Sequence, residues 1–224
     1  MQWKLLLADY SERKEDLMEV GHIHWLGHAS FRVDDEGKSI YVDPWKLLQN
    51  APKADIIFIT HSHYDHFSPD DIAKIRTADT VIVCPEDVAN QVKGNVRKAA
   101  PGQSLDVEGL SVKAIPAYNL GKKFHPKESQ WIGYLIKLSN GTSIYHAGDT
   151  DFAPEMRTLR VDIALLPCGG TYTMDGKEAA QAANTFKPKL LIPMHFGDIV
   201  GSVKDAETVK SLFKGDTLIK KPER

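Results

Sequence analysis

Three histidines and one aspartate fall within six residues of this chain, in the segment His-Ser-His-Tyr-Asp-His at 61–66. An apolar run at 56–59 comes shortly before it, and a polar, turn-forming stretch at 66–70 follows. This order is typical of a buried strand that ends where the polar side chains begin. Because neutral imidazoles and carboxylates bind zinc, iron or manganese, the segment predicts metal binding more strongly than a loop that is merely rich in histidine.

The spacing inside this segment divides its side chains between two ions. His61 and His63 are two positions apart, so in an extended segment both would point to the same side. Asp65 and His66 lie just beyond them and are available to a second ion. The segment therefore predicts two metal sites at the end of one strand.

Two later segments repeat this pattern of an apolar run that ends in a residue type able to bind metal. Residues 143–150 end in a Gly-Asp-Thr step that contains Asp149, and residues 190–197 carry His195 after an apolar run. In open α/β folds, ligands gather beyond the carboxyl ends of strands. We therefore expect three strand ends to meet at one place.

The order of these elements resembles that of the metallo-β-lactamase-fold hydrolases. The matching segments are the cluster at 61–66, Gly-Asp-Thr at 148–150 and Pro-Met-His at 193–195. Residues 25–31 and 41–44 are similar to the branch that includes the L-ascorbate-6-phosphate lactonase-like proteins and the N-acyl-phosphatidylethanolamine phospholipase D group. The resemblance runs from about residue 22 to about residue 200. It implies an α/β (α+β) fold, a four-layer αββα sandwich of the metallo-β-lactamase type.

The same resemblance implies a set of residues that hold two divalent ions, zinc first, with manganese or iron as alternatives. The set comprises His61 and His63 for the first ion, Asp65, His66 and His195 for the second, and Asp149 as a bridge between both. A metal-bound hydroxide would then attack an ester, lactone or phosphodiester bond. Asp65 and Asp149 are the expected catalytic residues, because Asp65 would orient the hydroxide's proton and Asp149 would keep the ions together.

The sequence departs from the family pattern at one ligand of the first ion. The family places a third histidine after an apolar strand and a small residue, whereas here the run at 112–118 arrives at Asn119. The nearest histidine is His125, six residues further on. We expect His125 to reach back from a loop and bind the first ion. The alternative is that Asn119 or water takes that position and His125 makes no metal contact.

Three more residues lie beside these motifs and are candidates for supporting or substrate-binding roles. His28, in the Gly-His-Ala-Ser element, fits a residue that supports a ligand as well as one that contacts substrate. Asp43 is the candidate carboxylate that orients a metal-bound imidazole, unless it only forms a turn. Tyr172 follows a Gly-Gly-Thr step and is a candidate hydrogen-bond donor to substrate, although packing of its ring on a helix explains it equally well.

Chain length and charge limit the remaining choices. The 224 residues are enough for a single domain with a sizeable core, in which residues 1–20 form an N-terminal extension. The formal net charge of −2 shows no basic excess for binding nucleic acid. A positive loop near the expected site contains Lys122, Lys123 and Lys127. Such runs are usually exposed to solvent, and the alternative is that they help to hold an anionic small-molecule substrate. A homo-oligomer is common in the resembled branch, but the sequence identifies no interface.

The sequence shows no membrane helix, secretory signal or disulfide framework, and cellular location is predicted from this. The longest apolar runs are far shorter than the roughly 20 residues that a membrane helix needs. The N-terminal segment lacks the apolar stretch and cleavage site of a secretory signal. Cys84 and Cys168 do not form a disulfide framework and are expected to be reduced thiols. These features predict a cytoplasmic protein that does not enter the membrane.

Secondary structure follows a coarse pattern of strands and helices in two halves, which predicts two packed sheets covered by helices. Strands are predicted between 22 and 42 with a turn at 34–37, followed by a strand and ligand loop at 54–66. Further strands are predicted at 80–84, 96–99, 104–116, 131–138, 142–146, 161–167 and 189–194. Helices are predicted after Ser68, from near Asp175, and over 203–214, and residues 1–20 are predicted as a short amphipathic helix or a lead-in strand.

Three functional classes fit these features. A hydrolase of esters, lactones or phosphodiesters is favoured. A di-iron oxidoreductase of the same fold is the second class, but such enzymes often carry glutamate where His63 stands and add a flavin domain. A non-catalytic metal-binding module is the third. The substrate is left open, because specificity resides in loops, here those at 118–130 and 169–175.

Overall fold

The first sheet is built from the N-terminal half of the chain. The computed structural model describes residues 20–223, so the prediction for residues 1–20 falls, except for its last residue, outside the described residues. The strands follow one another in the sheet as in the sequence: β1 (Ile23–Gly27), β2 (Ser30–Asp35), β3 (Lys38–Val42), β4 (Ile56–Phe58), β5 (Val81–Cys84) and β6 (Val96–Lys98). Strands β1 to β3 pair antiparallel and β3 to β6 pair parallel. Every residue of β4 and β5 is buried, as expected for central parallel strands covered on both faces.

The second sheet repeats this mixed arrangement with the C-terminal half. Its strands are β7 (Ser104–Val107), β8 (Leu110–Pro116), β9 (Ile132–Lys137), β10 (Ser143–His146), β11 (Ile163–Pro167), β12 (Leu190–Met194) and β13 (Asp216–Thr217). They lie side by side in sequence order, with β7 to β10 antiparallel and β10 to β13 parallel. The single strand predicted over 104–116 is wrong: the chain reverses there. Glu108 and Gly109 both adopt positive φ angles, 52° and 87°, which close a tight hairpin between β7 and β8.

Helices cover the outer face of each sheet. They are α1 (Pro69–Ile75), α2 (Glu86–Ala89), α3 (Gly176–Phe186) and α4 (Val203–Leu212), with single 3₁₀ turns at Lys127–Ser129 and Pro154–Thr158. Helix α1 packs on the first sheet, while α3 contacts β11 and α4 contacts β12 of the second. The resulting four layers confirm the predicted αββα sandwich. None of the described helices combines the length and apolar character that crossing a membrane requires.

The helix starts show why these segments are helical. The Ser68 hydroxyl accepts a hydrogen bond from the Asp71 backbone N–H, and Pro69 occupies the first helical position, as predicted. Asp175 caps α3 by accepting hydrogen bonds from the backbone N–H groups of Lys177 and Glu178. Each cap satisfies donors that the first turn of a helix leaves unpaired.

Both cysteines lie in the interior and neither forms a disulfide. Burial raises the pKa of the Cys84 thiol to about 12 and also raises the pKa of Cys168. Thiols with pKa values this far above neutral remain protonated, so they act as small packing groups rather than as nucleophiles.

A buried phenol links the two sheets across the core. The Tyr134 hydroxyl of the second sheet lies 2.8 Å from the Ile59 carbonyl and 3.0 Å from the Val83 carbonyl of the first. Its ring packs against Phe58 with 4.8 Å between ring centroids. Because Ile59 directly precedes the polar segment, this contact fixes the end of β4 on which the ligand candidates depend.

Replacing Tyr134 by phenylalanine removes this polar link and keeps the ring. We expect Tyr134→Phe to lower the free energy of unfolding by about 1–2 kcal/mol, because a buried hydrogen bond is lost without loss of apolar packing. Chemical denaturation measures the change, with Tyr64→Phe as the control since 67% of Tyr64 is exposed. Equal stability of the two variants would contradict the proposed link.

Candidate metal centre

The predicted ligands meet beyond the carboxyl ends of β4, β10 and β12. Strand β4 ends at Phe58, so the segment at 61–66 forms a turn in which the His66 backbone N–H donates to the His63 carbonyl at 3.0 Å. The chain also bends at 62 and 63, so His61 and His63 do not lie on the extended segment that the sequence predicted. The turn nevertheless brings the two rings together, with 3.1 Å between His61 Nε2 and His63 Nδ1.

The first group of ligand atoms contains the histidine that the sequence left uncertain. His61, His63 and His125 each offer a nitrogen, and all three nitrogens lie within 4.8 Å of one another. His125 Nε2 is 3.1 Å from His63 Nδ1. The loop after β8 thus brings His125 beside His61 and His63, the two histidines with which it is predicted to share an ion.

Asn119 holds that loop through its side-chain nitrogen and its backbone N–H, while its side-chain Oδ1 has no hydrogen-bond partner among the described residues. Its side-chain Nδ2 donates to the Phe124 carbonyl at 2.9 Å and to the Tyr172 carbonyl at 2.7 Å. The Asn119 backbone N–H also donates to the His125 carbonyl at 2.8 Å. These bonds clamp the two ends of the loop that carries His125, so Asn119 positions this histidine.

The second group consists of His28, Asp65, His66 and His195, whose ligand atoms also lie within 4.8 Å of one another. The His28 Nε2–H donates to Asp65 Oδ2 at 2.9 Å, and its ring lies 3.9 Å from the His195 ring between centroids. Of the two roles considered for His28, contact with the ligand Asp65 is the one that the structure shows directly.

Asp149 lies between the two groups. Its Oδ2 is 3.2 Å from His125 Nε2 and 3.0 Å from His195 Nε2, and its Oδ1 is 3.3 Å from His66 Nε2. The carboxylate therefore reaches histidines of both groups at once. This placement is the one that the resemblance implied for a bridging residue.

A buried carboxylate and hydroxyl connect two of the ligand histidines. Asp43 accepts hydrogen bonds from His66 Nδ1 at 2.7 Å and from the hydroxyl and backbone N–H of Thr60 at 2.7 and 2.8 Å. The Thr60 oxygen in turn lies 2.9 Å from His61 Nδ1, which donates to it. The sequence predicted this role for Asp43 but not for Thr60, whose position next to His61 is the one local signal of its contact.

These contacts select one tautomer of each imidazole. In His61, His66 and His125 the Nδ1 atom is bonded away from the centre, to Thr60, to Asp43 and to the Tyr172 carbonyl at 3.1 Å respectively. The Nε2 atoms face the centre instead. A histidine whose Nδ1–H is held in this way presents an unprotonated Nε2 to a metal.

Several buried polar atoms of the centre have no hydrogen-bond partner among the described residues: His66 Nε2, Asp149 Oδ1 and both ring nitrogens of His195. His66 Nε2 and Asp149 Oδ1 lie close together but without hydrogen-bonding geometry. Buried polar atoms are nearly always satisfied in folded proteins. Nitrogen and carboxylate donors that converge in the interior fit divalent cations such as zinc.

The buried ionisable groups at the centre shift one another's pKa values. Burial lowers the pKa of His61 well below its usual value. Burial also disfavours a charged His66, but Asp149 and Asp43 outweigh it and raise the pKa of that imidazole well above the ordinary range. Burial would raise the pKa of Asp149, yet His195 and His66 hold it well below normal. For Asp65, the hydrogen bond from His28 overcomes burial and lowers the pKa to about 2.

Backbone strain is concentrated in the same place. His28, Asp43, His125 and His195 have φ angles of 53°, 48°, 56° and 59°, in the left-handed region that few residues other than glycine adopt. Gly169 passes so close to His195 that a β-carbon there would collide with the histidine's carbonyl oxygen. Strained conformations of this kind persist where the fold enforces them and they cluster at functional sites.

A family model described as a beta-lactamase superfamily domain matches residues 22–195 of the chain. The chain belongs to this superfamily. A UPF0173 metal-dependent hydrolase of Koribacter versatilis is 36% identical over 195 residues, which cover 78% of this chain and 84% of the relative. Another, from Thermococcus onnurineus, is 34% identical over 218 residues, which cover 89% and 96%. A crystal structure from Parabacteroides distasonis, assigned as a metal-dependent hydrolase, has 36% identity and a TM-score of 0.80 over 88% of this chain and 91% of that one.

These similarities identify the chain as a metal-dependent hydrolase of the metallo-β-lactamase superfamily. Its membership in the lactonase-like and phospholipase D-like branch stays a prediction. The individual ligand assignments also stay predictions, although the geometry brings together every metal ligand that the sequence proposed.

Other histidines of the hydrolase lie outside both groups. His24 contacts Asp34 at 3.1 Å and Glu223 at 2.6 Å on the rim of the first sheet. His146 is buried, donates to the Ala29 carbonyl at 2.8 Å and receives the Gly148 backbone N–H. Both act as hydrogen-bonded structural residues.

The predicted substrate-side residues occupy the loops above the centre. Tyr172 is half-buried, its ring meets Phe124 edge-on with centroids 5.0 Å apart, and its carbonyl orients His125. A role for its hydroxyl toward substrate stays a prediction. Two lysines of the positive loop are engaged: Lys122 pairs with Asp151, and Lys127 lies 3.4 Å from Glu155.

Removing the carboxylate that holds His66 tests the supporting network. Asp43→Asn loses a charged acceptor for His66 and Thr60, so we expect a 10- to 100-fold loss of metal affinity, the usual cost of such supporting residues. Competition with a chromogenic chelator measures it, with the exposed Asp79→Asn as the control. Unchanged affinity in Asp43→Asn would contradict the role of Asp43.

The choice between His125 and Asn119 has a separate test. His125→Ala should lower the affinity of the first ion at least tenfold, because a direct ligand is lost. Asn119→Ala should cost less, since it only loosens the loop. The two affinities are compared by calorimetric zinc titration, and the opposite order would assign the ligand to Asn119.

Proposed function

We propose that this chain is a dinuclear hydrolase that cleaves an ester, lactone or phosphodiester bond of a small molecule. The observation that carries the proposal is that Asp149 contacts histidines of two groups of possible ligands. A third group, formed by His61, His66 and Asp149, connects these two. One carboxylate in contact with histidines of both groups fits two ions better than one.

Each group offers enough donors for one ion. His61, His63 and His125 would hold the first, and Asp65, His66 and His195 the second, with Asp149 shared. When bound, such ions lower the pKa of a coordinated water toward about 7 and polarise the oxygen of a substrate carbonyl or phosphoryl group. His28 contacts Asp65 and would orient this ligand.

Asp65 acts as the residue that orients the attacking water. One of its oxygens is occupied by His28 at 2.9 Å, and its pKa of about 2 keeps it ionised at neutral pH. A carboxylate with so low a pKa is a weak base, so it accepts a hydrogen bond well and holds a proton only briefly. We therefore assign it to orientation first and to proton transfer second.

Exposed aromatic side chains at the rim of the centre favour a substrate with an apolar part. Tyr64 and Phe124 flank the ligand residues and are 67% and 43% exposed, which is unusual for aromatic side chains. The lysines of the positive loop give weaker support for an anionic substrate, because Lys122 and Lys127 already have acidic partners.

Loss of single ligands tests the proposal. Asp65→Ala and His195→Ala should abolish hydrolysis and reduce the occupancy of the second ion, because each removes a ligand of that ion. Bound metal is quantified after loading with zinc, manganese or iron, and activity is screened on bis-p-nitrophenyl phosphate, lactones and thioesters. His24→Ala is the matched control, since this histidine lies outside both groups.

The outcomes separate the alternative functions. Full activity of Asp65→Ala or His195→Ala would refute the proposal. Two irons per chain together with reduction of dioxygen would indicate the oxidoreductase instead. Tight metal binding without turnover of any substrate would indicate a binding module.

A further inference from the structure

We propose that a cavity beside the metal centre is a substrate subsite for an amphipathic anion, with an apolar body and a negatively charged end. The inference rests on the proposed function, because it assigns the part of the substrate that lies next to the bond to be cleaved. The cavity has a volume of about 360 Å³. This falls in the range of small-molecule sites and suits an aromatic ring or a short acyl chain.

The walls of the cavity are mainly apolar. Trp25 of β1 and Phe196, which follows the ligand His195, lie with ring centroids 5.0 Å apart. Val203 at the start of α4 and Ile219 near the C-terminus complete the apolar lining. Gly197 also borders the space, and a β-carbon built there would meet no atom within 4 Å. Such a surface favours an apolar group over a polar one.

One imidazole ring separates the cavity from the second group of metal ligands. His28 lines the cavity, while its Nε2 lies 2.9 Å from Asp65 and its ring 3.9 Å from that of His195. His28 is 1% exposed, and its Nδ1 has no hydrogen-bond partner among the described residues. A substrate bound in the cavity would therefore extend to within one side chain of the centre.

The C-terminal segment forms the outer wall by crossing from one sheet to the other. The Leu218 backbone N–H donates to the Leu191 carbonyl of β12 at 2.9 Å, and the Glu223 N–H donates to the Trp25 carbonyl of β1 at 2.8 Å. Residues 219–222 between these two anchors all line the cavity. The wall is therefore held at both ends by backbone hydrogen bonds.

The charge on this wall selects an anion. Lys221 is exposed and forms no ion pair within residues 20–223, whereas Lys220 lies 4.0 Å from Glu223. The acidic residue of the lining, Asp198, is 2.6 Å from the ammonium group of Lys46. Within residues 20–223, the exposed end of the cavity thus carries a lysine without an acidic partner, and the buried end carries His28. A carboxylate at the exposed end of an apolar group matches this lysine.

Calorimetric titration of the zinc-loaded chain with 4-phenylbutanoate and the uncharged 4-phenylbutanamide tests the subsite without turnover. Val203→Trp fills the cavity and should weaken both probes at least tenfold. Leu212→Trp is the matched control, because Leu212 is 46% exposed on the same helix and does not line the cavity. Lys221→Glu should weaken the carboxylate at least threefold and leave the amide unchanged, while Lys214→Glu should affect neither.

Equal binding by Val203→Trp and the parent chain would overturn the proposal, as would an equal loss in Leu212→Trp or an unaltered carboxylate affinity in Lys221→Glu. Activity separates this inference from the proposed function. Metal-dependent hydrolysis with the probe affinities unaffected by Val203→Trp would refute only the subsite. The expected binding pattern in a chain that hydrolyses nothing would refute only the hydrolase.

Discussion

The carboxylate of Asp149 is almost fully removed from solvent, and this buried charge constrains everything around it. A buried charge without compensation is very costly, so the fold surrounds it with imidazoles of His66, His125 and His195 at 3.0–3.3 Å. Each imidazole must in turn be held in position. Asp43 with Thr60 does so on one side, and the loop clamped by Asn119 does so on the other. The Nδ1 atoms of His66 and His125 are therefore held by hydrogen bonds. His66 Nε2 and Asp149 Oδ1 stay without a hydrogen-bond partner among the described residues, where a cation would bind them.

The two-sheet architecture makes this network possible. Strand β4 belongs to the first sheet and β10 and β12 to the second, but their carboxyl ends face the same edge of the sandwich, so the loops that follow them deliver side chains to one point. The Tyr134 hydroxyl locks the sheets together two residues before His61. Side chains that a rigid core holds in this way need little reorganisation when metal and substrate bind. The loops on the outer side remain free to set specificity.

Sequence alone predicted much of this, because strand ends and ligand types are local features. The apolar runs before His61, Asp149 and His195 located three strand ends correctly, and the departure at Asn119 drew attention to His125. The contacts that orient the ligands were much harder to predict. Thr60 and the Asn119 clamp depend on tertiary distances, and no periodicity encodes them. The hairpin inside 104–116 was not predicted because the residue pattern is similar on both sides of its turn. The cavity wall at residues 219–222 was not predicted because it depends on where the chain crosses from one sheet to the other.

Anomalous X-ray diffraction from crystals grown with excess zinc tests the central claim most directly. Two peaks are expected about 3.5–4 Å apart, the usual separation in two-metal sites. One should lie among His61, His63 and His125, the other beside Asp65, His66 and His195, and Asp149 should contact both. A single peak, or two peaks with Asp149 facing neither, would contradict the account.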